Sequence, residues 1–362
     1  MGYGYRIHHM DNKTSKFITI ENLFFAWDEF KKGKQQKPDV LFFERNLEDN
    51  IFLLHEELTT KMYQHQGYRT FHVYDPKFRV INKATVRDRI VHHLVFRFLE
   101  PIFQPGFTHQ SYSCQSGKGI HLGVDEVSCA LRKVSRNDTQ TVWALKLDIK
   151  KFFASVDHGI LFSLLRKKVN EPDMLWLLEQ IIESFHSPDI PGKGMPIGNL
   201  TSQIFANIYL SELDYFAKHT LREKYYFRYA DDFLFLHPER EHLENILVIV
   251  EDFVEKKLQL TIHPNKIVFR KFNQGIDWVG YVLLPHYRVL RAKTKKRLFK
   301  KVLRKVELFN QGVLDDFSLE QTVQSYLGLF GHCSSYRIQQ ELQNEIWIRK
   351  ENRLSITVPL AV

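Results

Sequence analysis

Three cysteines in 362 residues, Cys114, Cys129 and Cys333, lie far apart and form no C-x-x-C pair. Neither a disulfide framework nor a zinc site is therefore suggested. No apolar run approaches the ~18 residues that a membrane span needs, so no membrane partner is expected. The opening MGYGYRIHHMDNK has no apolar core of the signal-peptide kind. With the sparse cysteines, this sets the expectation of a cytoplasmic protein. Internal repeats and low-complexity linkers are also absent. Acidic residues are in deficit, 42 against 51 Lys and Arg, and the net charge of +9 favours a polyanionic partner, nucleic acid first. Aromatics, by contrast, are abundant, with 29 Phe and 15 Tyr. Most should pack a core, leaving some free to stack on bases or sugars.

Hydrophobic periodicity predicts helices over 20–32, capped by Thr19, and over 47–63. FHVYDPKFRVIN (71–82) reads as strands around a turn at Asp75-Pro76. A helix over 85–100 follows, with Ile90, Leu94 and Phe98 on one face and Asp88 and His92 as neighbours on its surface. Further helices are expected around 124–135, 158–170, 172–186, 200–217 and 239–258, and the tail from 291 should be helical. Strands are expected at 141–149, twice within 224–237, and through 259–290. This mixture suggests an α+β fold with an antiparallel sheet rather than a βαβ repeat.

Two acidic features stand out. In ALKLDIKKFF, Asp148 ends a hydrophobic strand; in FRYADDFLFL, Asp231 and Asp232 sit between two hydrophobic stretches. Adjacent buried acids repel one another, and a divalent cation removes that cost. Three converging carboxylates can hold two metals for in-line phosphoryl transfer. Asp is also common in turns, so each feature alone reads more readily as a solvated hairpin turn or a strand terminator. His92-His93 lies on a helix without other ligands nearby in sequence, which weighs against a metal site there. Asp157-His158 reads as a helix cap, and Gly117-Lys118-Gly119 is weak evidence alone for a phosphate loop.

Together these residues resemble the reverse transcriptases. Tyr229-Ala230-Asp231-Asp232 matches their Y-A-D-D box, and LDIKKFFASVDH (147–158) their first catalytic-aspartate motif. KFRVINKATVRDRIVHH (77–93) matches the fingers motif, and MPIGNLTSQIFANIYLSELD (195–214) the motif under the nascent base pair. LTIHPNKIVF (260–269) and DWVGYVLL (277–284) match the later palm motif and the primer grip. The matches keep the family's order over 71–284. The resemblance implies an α+β right-hand polymerase with fingers, a palm with an antiparallel sheet, and a helical thumb. The expected segments are an N-terminal extension and fingers at 1–140, a palm at 141–285 with a finger insertion about 160–198, and a helical thumb at 286–362.

The same resemblance implies roles. Asp148, Asp231 and Asp232 would be catalytic and bind two Mg²⁺ ions, with Mn²⁺ able to substitute and the Ile149 carbonyl in reach of a metal. Lys266 would protonate pyrophosphate. Lys77, Arg79 and Lys150 would contact the incoming deoxynucleotide triphosphate, Phe153 would be its steric gate, and Ile197, Gly198 and Gln203 would line its site. Lys118 would meet template backbone, and Trp278, Gly280 and Tyr281 would serve the primer grip. RAKTKKRLFKKVLRKVE (291–307) carries nine basic residues and one acid. Its Lys296, Lys300 and Arg304 would follow the RNA/DNA duplex through its phosphates.

One departure narrows the resemblance. Group II intron and retron enzymes usually carry Q-G-x-x-x-S-P where this chain has Ile197-Gly198-Asn199-Leu200-Thr201-Ser202-Gln203. I/L-G-N-x-x-S-Q is similar to reverse transcriptases of diversity-generating retroelements. SYSCQSGKGIH is too, with Gln115 where that group more often has Arg. Those enzymes copy a template RNA with errors at adenines and work with a small basic accessory protein that binds the template RNA. Two alternatives stand beside this: a stand-alone reverse transcriptase of phage defence, and a non-catalytic RNA-binding scaffold or splicing helper. Against the scaffold, three clustered acids serve no purpose without metal.

Overall fold

The computed structural model describes residues 16–74, 77–188 and 190–356. The opening residues and the Asp75-Pro76 turn lie outside them. Thr19 caps α1 (Ile20–Lys31), its hydroxyl accepting from Asn22 N at 3.2 Å, and Leu23, Ala26, Trp27 and Phe30 are buried as their spacing predicts. α2 (Pro38–Glu44) and α3 (Leu47–Thr59) follow, then the antiparallel hairpin β1 (Arg69–Val73) and β2 (Arg79–Lys83). Thr85 caps α4 (Val86–Phe103). Next come α5 (Ile120–Val134), β3 (Trp143–Asp148), α6 (Phe152–Ser155), α7 (His158–Arg166), α8 (Pro172–Glu183) and α9 (Leu200–Tyr215). Asp157 caps α7 by accepting from Ile160 N at 3.0 Å. β4 (Tyr226–Tyr229) and β5 (Asp232–His237) lead to α10 (Arg240–Leu258). Four short strands follow: β6 (Val268–Lys271), β7 (Ile276–Trp278), β8 (Tyr281–Leu283) and β9 (Arg288–Leu290). The tail is helical, α11 (Ala292–Asn310), α12 (Asp316–Phe330) and α13 (Tyr336–Ile356). None of the described helices is long and apolar enough to cross a membrane.

The chain forms two compact units. The first holds the described residues up to His109, with Ile149–Leu221 and Glu251–Ile262. Here α4 packs on α1 and α9, and α7 on α8 and α9. Asp88 corrects a surface expectation, because it is fully buried in this unit. Its carboxylate accepts from Tyr63 Oη at 2.9 Å, Thr85 Oγ1 at 2.6 Å and Gln66 N at 3.2 Å, and pairs with Arg87 at 3.1 Å. A buried carboxylate with this many donors staples α4 to the segment before β1.

His92 is also buried, its Nε2 3.0 Å from His65 Nε2. Burial holds His92 well below the usual imidazole range, and burial with Lys34 and Arg89 takes His93 down to about 4. Both are thus neutral when folded and protonate more readily when unfolded. The unfolded chain binds more protons below about 6.5, so stability is full above that pH and falls as pH drops toward 4. The melting temperature should be several degrees lower at pH 5 than at pH 7, and His93→Phe should shrink that difference. An unchanged melting temperature between the two would contradict it.

The second unit holds Gln110–Asp148, Arg222–Val250 and the described residues from His263 on. Its four-stranded sheet has the order β4-β5-β3-β6, every pair antiparallel. Ala144, Leu234 and Leu236, on the sheet face that also carries Asp148 and Asp232, join a core with Val127 and Leu131 of α5. A second sheet, β7-β8-β9, adds Trp278, Tyr281 and Leu283 to that core, and Leu298 and Val302 of α11 complete it.

Candidate active site

β3 and β5 pair so that Asp148 and Asp232 stand directly opposite each other. Like charges in that position are destabilising. Asp231 lies beside them in the two-residue turn that joins Tyr229 to Asp232. The turn places Ala230 at φ +52°, a left-handed conformation that favours glycine. Arg228, fully buried beneath it, donates from Nη1 to the Ala230 carbonyl at 3.2 Å. A strained turn held from below by a buried arginine is the pattern expected where side-chain aim matters more than backbone comfort.

The carboxylates carry the electrostatic mark of this crowding. Burial, then Asp232 and Asp148, push the Asp231 carboxyl up to about 6. Burial likewise raises Asp232, opposed by Lys146. Two lysines stand on the acids. Lys266 Nζ donates to Asp148 Oδ1 at 2.6 Å, and Lys146 Nζ lies 3.6 Å from Asp232 Oδ1. Among the described residues, no three His, Cys, Asp or Glu side chains are gathered into a ready ligand cluster. The donor chemistry nonetheless suits a hard divalent cation. Three carboxylates at the paired ends of β3 and β5 have their charge matched only in part by two flexible ammonium groups.

Lys146 was not singled out from the sequence, although strand alternation places it on the same face as Asp148, two residues on. Asp277 and Arg291, which pair with each other, also escaped notice. The primer-grip residues separate. Trp278 and Tyr281 are 0% and 2% exposed, so their rings belong to the core and only the Gly280 turn backbone is presented. In that turn Val279 and Gly280 have φ +38° and +97°, both left-handed, as the tight hairpin requires. Lys118 Nζ donates to the Ser111 carbonyl at 3.0 Å, closing its own loop. Lys296, Lys300 and Arg304 form an exposed stripe on α11, with Leu298, Val302 and Val306 buried behind it.

The remaining candidates belong to the first unit. Lys77 and Arg79 are exposed on the hairpin, and Lys150 is exposed. Ile149 is buried and bridged to Ile262. Phe153 is half-buried against Phe152, ring centroids 5.3 Å apart, and its carbonyl accepts from Met195 N at 2.6 Å. Ile197 is half-buried and its carbonyl accepts from Asn82 N at 3.1 Å; Gln203 is exposed. Gly198 has φ +110°, and a Cβ there would come within 2.7 Å of Ile81 Cγ2. Asn199 is buried, accepting from Ala84 N at 3.2 Å and donating to the Asn82 carbonyl at 2.7 Å. Much of the I-G-N box therefore serves to clamp its loop to β2.

Comparison with known proteins bears on these motifs directly. A family model described as "Reverse transcriptase (RNA-dependent DNA polymerase)" matches residues 67–283. The chain belongs to the reverse transcriptase family. Its antiparallel sheets and packed helices fit the α+β fingers, palm and thumb class of that family. The chain is 24% identical to Protein YkfC of Escherichia coli, over 64% of this chain and 70% of that protein. It is 28% identical to the group II intron-encoded protein LtrA of Lactococcus lactis, over 39% of this chain but only 23% of that protein. Apo telomerase from Candida tropicalis, truncated from its C-terminal domain, aligns with TM-score 0.46 and 13% identity, over 62% of this chain and 55% of that one. The intron-encoded relatives relate this reverse transcriptase domain to the group II intron and maturase type.

Proposed function

We propose that the chain is an RNA-directed DNA polymerase that makes cDNA from a template RNA by two-metal nucleotidyl transfer. The observation that carries this is the meeting of Asp148, at the end of β3 and directly opposite Asp232, with Asp231 and Asp232 at the strained β4–β5 turn. These three residues would hold Mg²⁺, which when bound neutralises phosphate charge and lowers the barrier to in-line transfer. The strand edge fixes where the carboxylates point, and the buried Arg228 fixes the turn. Lys266 brings an ammonium to the same edge, 2.6 Å from Asp148, where it can serve as a proton donor to a leaving pyrophosphate. The roles of Lys77, Arg79, Lys150, Phe153 and Gln203 toward the deoxynucleotide rest on the family resemblance.

The basic stripe of α11 is the natural duplex-binding surface. Replacing Lys296, Lys300 and Arg304 together by Ala should lower the slope of log affinity against log salt by about 3. Fluorescence anisotropy with an RNA/DNA duplex at several salt concentrations measures this. An unchanged slope would place the duplex elsewhere.

The finer reading is a diversity-generating retroelement enzyme, with a small basic accessory protein as partner and errors concentrated at template adenines. Ile197-Gly198-Asn199 with Ser202-Gln203 supports it, because Ile197 cannot make the hydrogen bond that a Gln there offers a nucleotide. Ile197→Gln should reduce misincorporation opposite adenine severalfold in sequenced cDNA; an unaltered error spectrum would remove Ile197 from fidelity. A second reading, a splicing helper, is favoured by the likeness to LtrA and to a nuclear intron maturase of Arabidopsis thaliana. Splicing of a group II intron RNA by the purified chain separates the two.

A further inference from the structure

We infer that Lys146 is a built-in counter-ion shared between Asp232 and Asp277, which passes to Asp277 when a divalent cation takes Asp232. The inference rests on the two-metal reading above and concerns a positioning residue, since Lys146 acts through Asp232.

The geometry is that of a cation between two acceptors. Lys146 Nζ lies 3.6 Å from Asp232 Oδ1 and 4.0 Å from Asp277 Oδ1, so neither contact is a tight hydrogen bond. Strand pairing explains the first approach. Lys146 faces Leu234 across the β3–β5 ladder, which makes Asp232 its diagonal neighbour on the same face. The side chain is only 20% exposed, so water offers limited compensation if it loses both partners. Asp277 stands on β7 and is also paired with Arg291, the residue that precedes α11. A carboxylate has two oxygens and about four lone-pair directions, so Asp277 can accept from Arg291 and Lys146 together.

Charge makes the transfer favourable. The cluster holds four acids, Asp148, Asp231, Asp232 and Asp277, and three bases, Lys146, Lys266 and Arg291. Its formal charge is −4 + 3 = −1. A divalent cation at Asp232 would repel an ammonium 3.6 Å from the same carboxylate. Asp277 gives that ammonium a place to go within a short swing of its flexible stem. A chain of alternating charge, Asp232, Lys146, Asp277 and Arg291, thereby links the metal-holding turn to the root of the basic helix α11.

The test is Mn²⁺ binding to the full chain without nucleic acid, followed by electron paramagnetic resonance or calorimetry. Lys146→Met should tighten Mn²⁺ binding on the order of tenfold, because a competing charge is gone. Asp277→Asn, which removes the charge of the second partner and leaves Lys146 with Asp232 as its one anionic partner, should weaken it severalfold. In the Lys146→Met background the Asp277→Asn effect should shrink, a non-additivity that a merely structural role would not produce. Lys146→Gln and melting curves for every variant guard against misfolding. Unchanged affinity in Lys146→Met and Lys146→Gln, or fully additive effects, overturns the inference. Asp231→Ala is the separate control. If it leaves wild-type Mn²⁺ binding intact, the ion sits elsewhere, and the two-metal reading itself falls.

Discussion

Asp231→Asn is expected to lower nucleotide incorporation by on the order of 10³-fold or more while leaving the fold intact or slightly more stable. The loss follows from the chemistry. If the three aspartates hold the metal as proposed, removing one anionic ligand would forfeit several kcal/mol of transition-state charge stabilisation, and each 1.4 kcal/mol is about tenfold in rate. The stability gain follows from the crowding. The Asp231 carboxyl is pushed up to about 6 by burial and its two neighbours. Between the ordinary carboxylate range and about 6 the folded chain holds more protons than the unfolded one, so this group costs stability as pH rises through that window. At neutral pH without metal the cost is fully present. Asn removes it, for a gain of order 1 kcal/mol once partial solvent access is allowed for. Single-turnover kinetics and metal-free melting at pH 7 measure both. Near pH 4 the stability difference should vanish. An active Asp231→Asn enzyme would remove Asp231 from the metal site.

The second large effect is structural. Trp278→Ala is expected to destabilise the second unit by about 3–5 kcal/mol, as truncation of a fully buried aromatic does. Trp278 is 0% exposed in the core formed by α5, the two sheets and α11. A tryptophan that touched primer directly would behave differently: its removal would weaken nucleic-acid binding and spare the melting temperature. Thermal denaturation beside duplex binding separates these. A variant that melts like the wild type but binds primer poorly would return Trp278 to the nucleic-acid surface.

These two residues show what the sequence carried and what it could not. The convergence of Asp148, Asp231 and Asp232 was legible because the order of the motifs is specific, whereas each acid alone reads as a turn residue. Thr19 and Asp157 were legible as helix caps, and the structure finds both capping; Thr85, read as the first residue of its helix, is instead its cap. Trp278 was harder. A motif records that a residue recurs at a place, and a short strand of three residues carries too little alternation to say which way its ring points. Asp88 misled for a related reason. A charged residue in a helix is expected on the surface, and its four partners come from Tyr63, Thr85, Gln66 and Arg87, three of them outside α4. Lys146 was overlooked because a lysine in a strand is unremarkable until pairing places it diagonal to Asp232. Helix α2, Pro38–Glu44, escaped because seven residues show too little of a helical period.

On the function proposed above, this chain copies RNA into DNA at the three aspartates. The most direct test of that function is Mg²⁺-dependent primer extension on a defined RNA template, with the cDNA sequenced. Product complementary to the template, formed by the wild-type chain alone or with any accessory protein it proves to require, is the predicted result. Robust binding of the same primer and template with no extension under any of these conditions would contradict it, and would point to an RNA-binding scaffold built on a polymerase fold.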